Sequence, residues 1–213
     1  MNIFRLAGDL FHLASILILI ARLQQTKSCT GISLKTQTLY LVVFVTRYLD
    51  LLFSFVSVYN TLMKIFFLAS AGYIVYLMRM PLKASYDKAI DAFRLEYLLG
   101  GAAAFALLFP HKYSLVEILW SFSIYLEAVA IMPQLFQMSR TGEADNITSH
   151  YLFALGGYRA LYIVNWIYRY YTEDDYVDYI AWVSGVVQTA LYADFFYIYF
   201  TRVLKGKSFK LPV

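Results

Sequence analysis

Long apolar blocks alternate with short polar stretches along this chain of 213 residues. A helix that crosses the hydrocarbon core of a bilayer needs about 20 mostly apolar residues, and several of the blocks approach that length. The pattern predicts seven membrane-spanning helices, at residues 2–22, 36–57, 61–79, 95–110, 114–133, 150–171 and 178–203. The separation near Asn60 is the weakest of the boundaries, so six spans remain an alternative.

The composition favours an all-α integral membrane protein surrounded by the lipid bilayer. Hydrophobic residues make up 61% of the chain and charged residues 15%, whereas soluble domains carry about 25% charged residues. Residues 1–20 have neither a basic start nor a small-residue cleavage site, and Asp9 interrupts them. We therefore expect them to form the first span rather than a cleaved signal peptide.

The basic residues predict the orientation of the chain in the membrane. With the N-terminus on the lumenal or extracellular side, most of the 18 lysine and arginine residues fall in the inner loops and the tail. Such a bias places the basic loops and the C-terminus in the cytosol. The glycosylation sequon that begins at Asn146 then also faces the cytosol, where it would stay unmodified.

Two of the predicted cytosolic loops resemble each other. Each contains a Thr-Gly pair, ending at Gly31 and Gly142, and each leads into a span with an arginine beside a tyrosine, at Arg47 and Arg159. Chance similarity is one interpretation, and a pair of parallel three-helix repeats, an arrangement that some small transporters use, is the other. The repeat interpretation gives a seven-helix domain at 1–203, with repeats at about 1–79 and 114–203, a linker helix at about 95–110, and a cytosolic tail at 204–213.

Several charged side chains fall inside the predicted spans, where each costs at least ~2.5–3.5 kcal/mol on insertion scales. In the first span, Arg5, Asp9 and His12 are spaced by four and three residues, so they share one helical face. Either such groups pair with one another and hold helices together, or they line a water-filled cavity open to the lumenal side. The further polar positions are Arg47, Asp50, Glu117, Trp120, Glu127, Tyr158, Arg159, Tyr162, Asn165, Trp166, Arg169 and Asp194.

The sequence has no motif that is typical of an enzyme. Gly-x-Ser-x-Gly, a phosphate-binding loop and His-Glu-x-x-His are all missing from it. The three histidines, His12, His111 and His150, are far apart and have no metal-ligand spacing. We expect no catalytic residue, no metal ion or other cofactor, and no nucleic-acid partner.

Five stretches of the sequence resemble the KDEL receptors, the retrieval receptors for lumenal proteins of the endoplasmic reticulum. They read "MNIFRLAGDLFHLAS", "KTQTLYLVVFVTRYLDLLFSFVSVYNTLMKI", "VEILWSFSIYLEAVAIMPQL", "SRTGEADNITSHYLFALGGYRALYIVNWIYRY" and "VQTALYADFFYIY". The resemblance implies a seven-helix fold similar to that of the SWEET and PQ-loop transporters, with Pro133-Gln134 as the signature. It also implies a multi-pass protein that cycles between the endoplasmic reticulum and the Golgi.

The resemblance implies binding of the C-terminal Lys-Asp-Glu-Leu or His-Asp-Glu-Leu signal of escaped lumenal proteins in the acidic Golgi, and release near neutral pH. It assigns the terminal carboxylate of the signal to Arg47, the glutamate to Arg5 and the aspartate to Arg169. Guanidinium groups suit these partners because they donate two parallel hydrogen bonds to a carboxylate. The lysine of the signal is assigned to Glu117 and the ring of Trp120. The remaining wall residues are Tyr48, Tyr162, Asn165 and Trp166.

The same resemblance implies an internal pair and a pH sensor. Glu127 and Tyr158 resemble the hydrogen-bonded pair of the family, with Arg159 nearby. Of the three histidines, His12 is the one in the middle of a predicted span, and the ordinary pKa of histidine, about 6.5, lies in the physiological range. We therefore expect His12 to make signal binding tighter at acidic pH.

The cytosolic tail departs from the family pattern. The family ends with adjacent lysines that recruit the COPI coat, whereas this chain reads "KGKSFKLPV", with Lys205, Lys207 and Lys210 separated. The resemblance implies COPI as a partner through these lysines. An alternative function is that of a proton-coupled small-molecule transporter of the PQ-loop or SWEET class, although such a pocket should favour neutral groups over three arginines.

Overall fold

The computed structural model describes residues 2–174, 176–206 and 208–210, most of which are helical. The α-helices are α1 (Ile3–Thr26), α2 (Leu34–Arg47), α3 (Val58–Arg79), α4 (Leu95–Leu108), α5 (Leu115–Val129), α6 (Met132–Thr141), α7 (Asn146–Thr172), α8 (Tyr179–Leu191) and α9 (Ala193–Thr201). Short 3-10 helices cover Tyr48–Leu52, Lys83–Ser85 and Val203–Lys205, and two short strands are β1 (Glu143–Ala144) and β2 (Phe209–Lys210).

Three of the described helical stretches are long and apolar enough to cross a membrane. They are Ile3–Thr26, Val58–Arg79 and Leu115–Thr141, the last of which joins α5 to α6 through a turn at residues 130–131. Helices α4 and α8 are also apolar but shorter. This helical architecture fits an integral membrane protein, as the composition predicted, and the count of seven spans stays a prediction.

The predicted second span, residues 36–57, is helical only in its first part. Helix α2 ends at Arg47, and a 3-10 helix follows it. The N–H groups of Phe53 and Ser54 then both donate to the carbonyl of Asp50. Residues 53–57 are non-helical and exposed, and Ser57 then caps α3. The apolar pattern could not predict this break, because leucine, valine and phenylalanine fit both a helix and an extended segment.

Other boundaries also differ from the predicted spans. Helix α5 ends at Val129, shortly before Pro133, which lacks an N–H group and is tolerated in the first turn of α6. Helices α8 and α9 are separated at Tyr192, whose side chain is buried. Helix α7 begins four residues earlier than position 150, because the side chain of Asp145 accepts the Thr148 N–H and caps the helix there.

The chain divides into two compact units, unit 1 within Met1–Gly31 and Met138–Val213, and unit 2 within Ile32–Gln137. In unit 1, α1 packs along α7, and α7 also contacts α8 and α9. In unit 2, α2 packs against α3 and α5, and α4 packs against α5. The apolar cores include Leu19, Leu23 and Leu152 in unit 1 and Leu39, Met78 and Leu126 in unit 2. The predicted pair of sequence repeats groups the helices differently and stays a prediction.

Gln134 of the Pro-Gln signature connects the start of α6 with the start of α2 inside unit 2. Its side-chain oxygen accepts the Ser33 N–H at 2.8 Å, and its own N–H donates to the Thr36 hydroxyl at 3.0 Å. The buried carboxylate of Asp91 accepts the Ser33 hydroxyl at 2.8 Å. A buried polar group without a partner costs about 1–3 kcal/mol, so these bonds stabilise the junction of the two helices.

The last described residues pair with the segment before α7, within unit 1. Strand β2 runs antiparallel to β1, with Lys210 opposite Glu143. Phe209 is buried, and its ring lies 5.3 Å from that of Phe195. The all-α prediction did not include this pair, since strands of two residues leave no periodic signal in a sequence.

Candidate functional site

The N-terminal end of α1 lies beside α7 in unit 1 and carries Arg5. Asn2 caps α1 by accepting the Arg5 N–H at 2.9 Å, and its amide donates to the buried side chain of Asn165 at 2.7 Å. The guanidinium of Arg5 is half-buried and forms no ion pair with any described residue. Two of the predicted signal-binding residues, Arg5 and Asn165, are thus held near each other by Asn2, which the sequence analysis had not singled out.

Asp9 and Tyr162 make the next contact between α1 and α7. The Tyr162 hydroxyl donates a hydrogen bond to the Asp9 carboxylate. Gly8 allows this approach, because a Cβ atom at that position would lie 2.7 Å from the Tyr162 ring. The in-span charge of Asp9 is therefore bonded to a phenol, an arrangement that the expected pairing of arginines with carboxylates did not include.

His12 stacks on Tyr158 deeper in the same helix pair. Their ring centroids are 4.2 Å apart and the planes differ by 7°. The Tyr158 hydroxyl lies within reach of two donors, Arg159 Nη2 at 3.3 Å and Gln188 Nε2 at 3.4 Å. The Arg159 guanidinium lies 5.1 Å from the Tyr158 ring and 5.9 Å from the Trp166 ring, so aromatic faces stabilise this buried cation. Unit 1 therefore brings together the predicted residues His12, Tyr158, Arg159 and Trp166.

Arg169, in the last turn of α7, has a carboxylate partner within its own unit. Its Nε and Nη2 atoms lie 2.8 and 2.7 Å from Glu173 Oε2. The Tyr176 ring covers the guanidinium, with 3.7 Å from Cζ to the ring centroid. Hydrogen bonding to Arg169 holds the pKa of the Glu173 carboxyl below its usual value. The sequence analysis missed Glu173, although the spacing of four residues on a helix could have indicated it.

Arg47 is held by two residues of α5 in unit 2. Its Nη1 lies 2.5 Å from Glu127 Oε2, its Nε donates to the Ser123 hydroxyl at 3.1 Å, and its Nη2 donates to the Ser123 carbonyl at 3.0 Å. Glu127 is 1% exposed. The sequence analysis placed both Arg47 and Glu127 in the site but did not predict their ion pair. The predicted Glu127–Tyr158 pair joins residues of different units and stays a prediction.

Glu117, Trp120 and Tyr48 also belong to unit 2. Glu117 lies in the first turn of α5, half-buried, and forms no ion pair with the described part of the chain. Trp120 meets His111 edge to face at 5.8 Å, and Tyr48 stacks on Phe44 at 5.7 Å. The assignment of Glu117 and Trp120 to the lysine of a signal stays a prediction.

Asp50 and Asp194, two of the charges that were expected inside spans, have different surroundings. Asp50 forms an ion pair with Lys64 of α3, within unit 2. Asp194 is exposed in the first turn of α9, where a carboxylate is favourable beside the helix N-terminus. Neither aspartate is bonded to an arginine in these contacts, so arginine–aspartate pairing does not explain them.

A cavity of about 400 Å³ lies between α7 and α8 in unit 1. Its wall is apolar and aromatic and includes Trp166, Tyr170 and Trp182, with no charged side chain among the described residues that line it. Of the predicted signal-binding residues, it contains only Trp166 among those described. The described lining of this cavity therefore offers no counter-charge to a peptide with three anionic groups, and the predicted signal-binding site stays a prediction.

Arg22 and Asp145 form an ion pair between the last turns of α1 and the start of α7. The predicted orientation places this pair on the cytosolic side. Arg22 Nη2 lies 3.0 Å from Asp145 Oδ2, and Nη1 donates to the Ser28 carbonyl at 2.8 Å. Burial alone would raise the pKa of Asp145, but hydrogen bonds from Thr148 and the charge of Arg22 outweigh burial and lower it. The sequence analysis did not single out Arg22 and missed this ion pair.

The predicted coat-binding lysines are only partly described. Lys205 is exposed at the end of a 3-10 helix, and Lys210 is exposed in β2. Lys207 lies outside the described residues. The two described lysines thus present their side chains to solvent, while the strand pairing fixes the backbone of Lys210.

Comparisons with known proteins identify the family. The family model described as ER lumen protein retaining receptor matches residues 28–169. The chain is 58% identical over 212 residues to the ER lumen protein-retaining receptor of Drosophila melanogaster, and 58% identical to ER lumen protein-retaining receptor 2 of Gallus gallus and of Homo sapiens. Each alignment covers 100% of this chain and 100% of the relative. The chain therefore belongs to the ER lumen protein-retaining receptor family.

Proposed function

We propose that this chain is a receptor that binds the C-terminal Lys-Asp-Glu-Leu or His-Asp-Glu-Leu signal of escaped lumenal proteins and returns them to the endoplasmic reticulum. The observation that carries the proposal is the end-to-end identity of 58% with receptors named for retaining lumenal proteins. The family name describes a receptor and not an enzyme, so binding rather than chemical conversion of cargo is proposed.

The charges of the proposed site complement those of the signal. Lys-Asp-Glu-Leu presents three anionic groups and one cationic group. The proposed partners are Arg47 for the terminal carboxylate, Arg5 for the glutamate, Arg169 for the aspartate, and Glu117 for the lysine. Two of these, Arg5 and Glu117, form no ion pair with any residue that the structure describes, which supports their assignment to a ligand.

The proposed membrane organisation is that of seven spans in a fold similar to the SWEET and PQ-loop transporters, with the N-terminus lumenal and the tail cytosolic. The strongly basic inner loops support this orientation. In the proposed cycle, the receptor loads cargo in the mildly acidic Golgi, COPI vesicles carry it back through recognition of the tail lysines, and cargo leaves near neutral pH.

Peptide binding to the purified receptor tests the proposal. A labelled Lys-Asp-Glu-Leu peptide should bind at about pH 5.5, and the same peptide amidated at its C-terminus should bind far more weakly. The loss follows because the neutral amide cannot accept the charge-assisted hydrogen bonds that Arg47 would donate to a carboxylate. Equal binding of both peptides would contradict the role of Arg47. Failure of any such peptide to bind, together with proton-coupled flux of a small molecule in proteoliposomes, would favour the transporter alternative.

A further inference from the structure

Arg169 and Glu173 form a cation–carboxylate contact of the same chemistry that the proposed site uses for its ligand. Two guanidinium nitrogens of Arg169 lie 2.7 and 2.8 Å from a single oxygen of Glu173. The N–H of Glu173 donates to the Arg169 carbonyl at 2.8 Å, so the backbone places this carboxylate beside the guanidinium. Tyr176 covers the cation from one face. The carboxylate of Glu173 thus forms an ion pair with Arg169 within the chain itself.

The contact is exposed enough to be exchanged. The side chains of Arg169 and Glu173 are 30% and 48% exposed. Ion pairs at such exposed positions are weak, because water screens both charges. A ligand carboxylate can therefore replace Glu173 at small cost, whereas the 1% exposed Glu127 is a far more buried partner of Arg47.

We propose that Glu173 is an internal competitor for the aspartate of the signal: it holds Arg169 in the empty receptor and must leave when the signal binds. This inference rests on the proposed function and adds a residue to it. Competition lowers the affinity for signals with an acidic residue at that position and leaves other peptides unaffected. The receptor consequently holds its cargo less tightly than its arginines alone would allow, which assists release.

The competition is not a pH switch. The hydrogen bond from Arg169 keeps the pKa of Glu173 low, so its carboxylate stays ionised at mildly acidic and at neutral pH. Glu173 therefore opposes the signal to the same extent in both compartments. The pH dependence of binding has to come from other groups.

The test is a double comparison of receptor variants and peptides. We would measure the affinity of Lys-Asp-Glu-Leu and Lys-Asn-Glu-Leu for the wild type, Glu173→Gln and Asp174→Asn at low ionic strength. Asp174 is exposed, lies next to Glu173, and loses the same charge in its variant, so it is the matched control. Glu173→Gln should tighten Lys-Asp-Glu-Leu by about two- to fivefold and leave Lys-Asn-Glu-Leu unchanged. Asp174→Asn should change both peptides alike and only slightly.

Four results would overturn the inference. Equal tightening of both peptides by Glu173→Gln would indicate a general charge effect. Weaker binding of Lys-Asp-Glu-Leu would mean that Glu173 positions Arg169 instead of competing for it. No change at all, in a wild type that prefers the free-acid peptide over the amide, would refute the competition while leaving the proposed function intact. If the wild type binds neither peptide, the proposed function fails and the competition fails with it.

Discussion

Arg47 of α2 forms an ion pair of 2.5 Å with Glu127 of α5, and the carboxylate is 1% exposed. Ser123, one turn before Glu127, accepts two further hydrogen bonds from the same guanidinium. Removing one partner of a buried pair is costly, since it leaves the other charge without compensation. Arg47 thus has a structural partner in unit 2 as well as a proposed ligand.

Arg47→Ala should lower the free energy of unfolding by about 3–5 kcal/mol, because Glu127 is left buried without its cation. Arg47→Ala combined with Glu127→Gln should recover most of that loss, since the buried charge is then absent. Thermal unfolding in detergent measures both effects. An unchanged unfolding temperature in the single variant would contradict the structural role of the pair.

The double variant also isolates the ligand role of Arg47. If the double variant still prefers the free-acid signal to the amide, Arg47 is not the partner of the terminal carboxylate.

Asp145 combines a helix cap with an ion pair, and two substitutions separate the contributions. Asp145→Ala removes the acceptor for the Thr148 N–H and should cost about 1 kcal/mol. Asp145→Asn keeps a capping oxygen and loses only the charge, so it should cost less. Chemical unfolding of the purified variants at neutral pH gives the comparison. Equal losses for the two variants would mean that the charge, and not the cap, stabilises the start of α7.

The lowered pKa of Asp145 also predicts a pH dependence. A carboxyl whose pKa is lowered by folding stabilises the folded state above its ordinary pKa of about 3.9, and this contribution is lost as the pH falls through the lower folded value. The wild type should therefore lose its advantage over Asp145→Asn below about pH 4. Unfolding measured between about pH 3 and pH 6 would show it. A constant difference across that range would contradict the prediction.

The sequence predicted the positions of helices better than it predicted which side chains contact each other. Apolar blocks placed α1 and α3 within a few residues of their observed bounds, because a long apolar run leaves few alternatives to a helix. The spacing of Arg5, Asp9 and His12 predicted one shared helical face, and two of the three side chains do meet α7: Asp9 contacts Tyr162 and His12 contacts Tyr158.

The partners depend on contacts between distant segments, which local patterns do not record. Arg47 was expected to bind the carboxylate of a ligand, yet it forms an ion pair with Glu127, 80 residues further along the chain. The tail strand at Phe209 was missed for the same reason, since its pairing partner lies before α7. The pair of Arg169 with Glu173 was also missed, but it does not depend on distant segments. The two residues lie four positions apart, and that spacing is a local signal.

The proposed orientation predicts a cytosolic C-terminus and a cytosolic sequon at Asn146. In microsomes, Asn146 should stay unglycosylated, whereas a sequon added in an N-terminal extension should be modified. Added protease should remove a C-terminal tag from sealed vesicles. Glycosylation of Asn146, or protection of the tag, would reverse the orientation.

The proposed retrieval signal predicts a change of location without a loss of binding. Replacing Lys205, Lys207 and Lys210 with serine should leave peptide affinity unchanged and shift the receptor to the Golgi, because COPI recognition would be lost. The matched control replaces Lys27, Lys83 and Lys88, which are exposed and belong to the predicted cytosolic loops. Fluorescence microscopy of both variants measures the distribution. A tail variant that is distributed like the control would remove these lysines from the mechanism.

His12 carries the prediction for the pH dependence of binding. It is buried at 8% exposure, stacks on Tyr158, and shares the α1–α7 pair with Asp9 and Arg159. The signal has more negative than positive groups, so its binding favours a protonated histidine nearby. By linkage, a receptor that takes up one proton on binding gains up to tenfold in affinity for each pH unit that the solution is lowered, and loses it as the pH rises.

Peptide affinity measured from about pH 5.5 to 7.5, around the titration range of histidine, tests this dependence. The wild type should bind more tightly at each lower pH, and His12→Ala should lose most of the slope. His150→Ala is the matched control, because His150 belongs to the same unit but is exposed and contacts Tyr199. Its variant should keep the slope of the wild type. If His12→Ala also keeps it, the proton is taken up elsewhere, and the buried Glu127 beside Arg47 becomes the next residue to substitute.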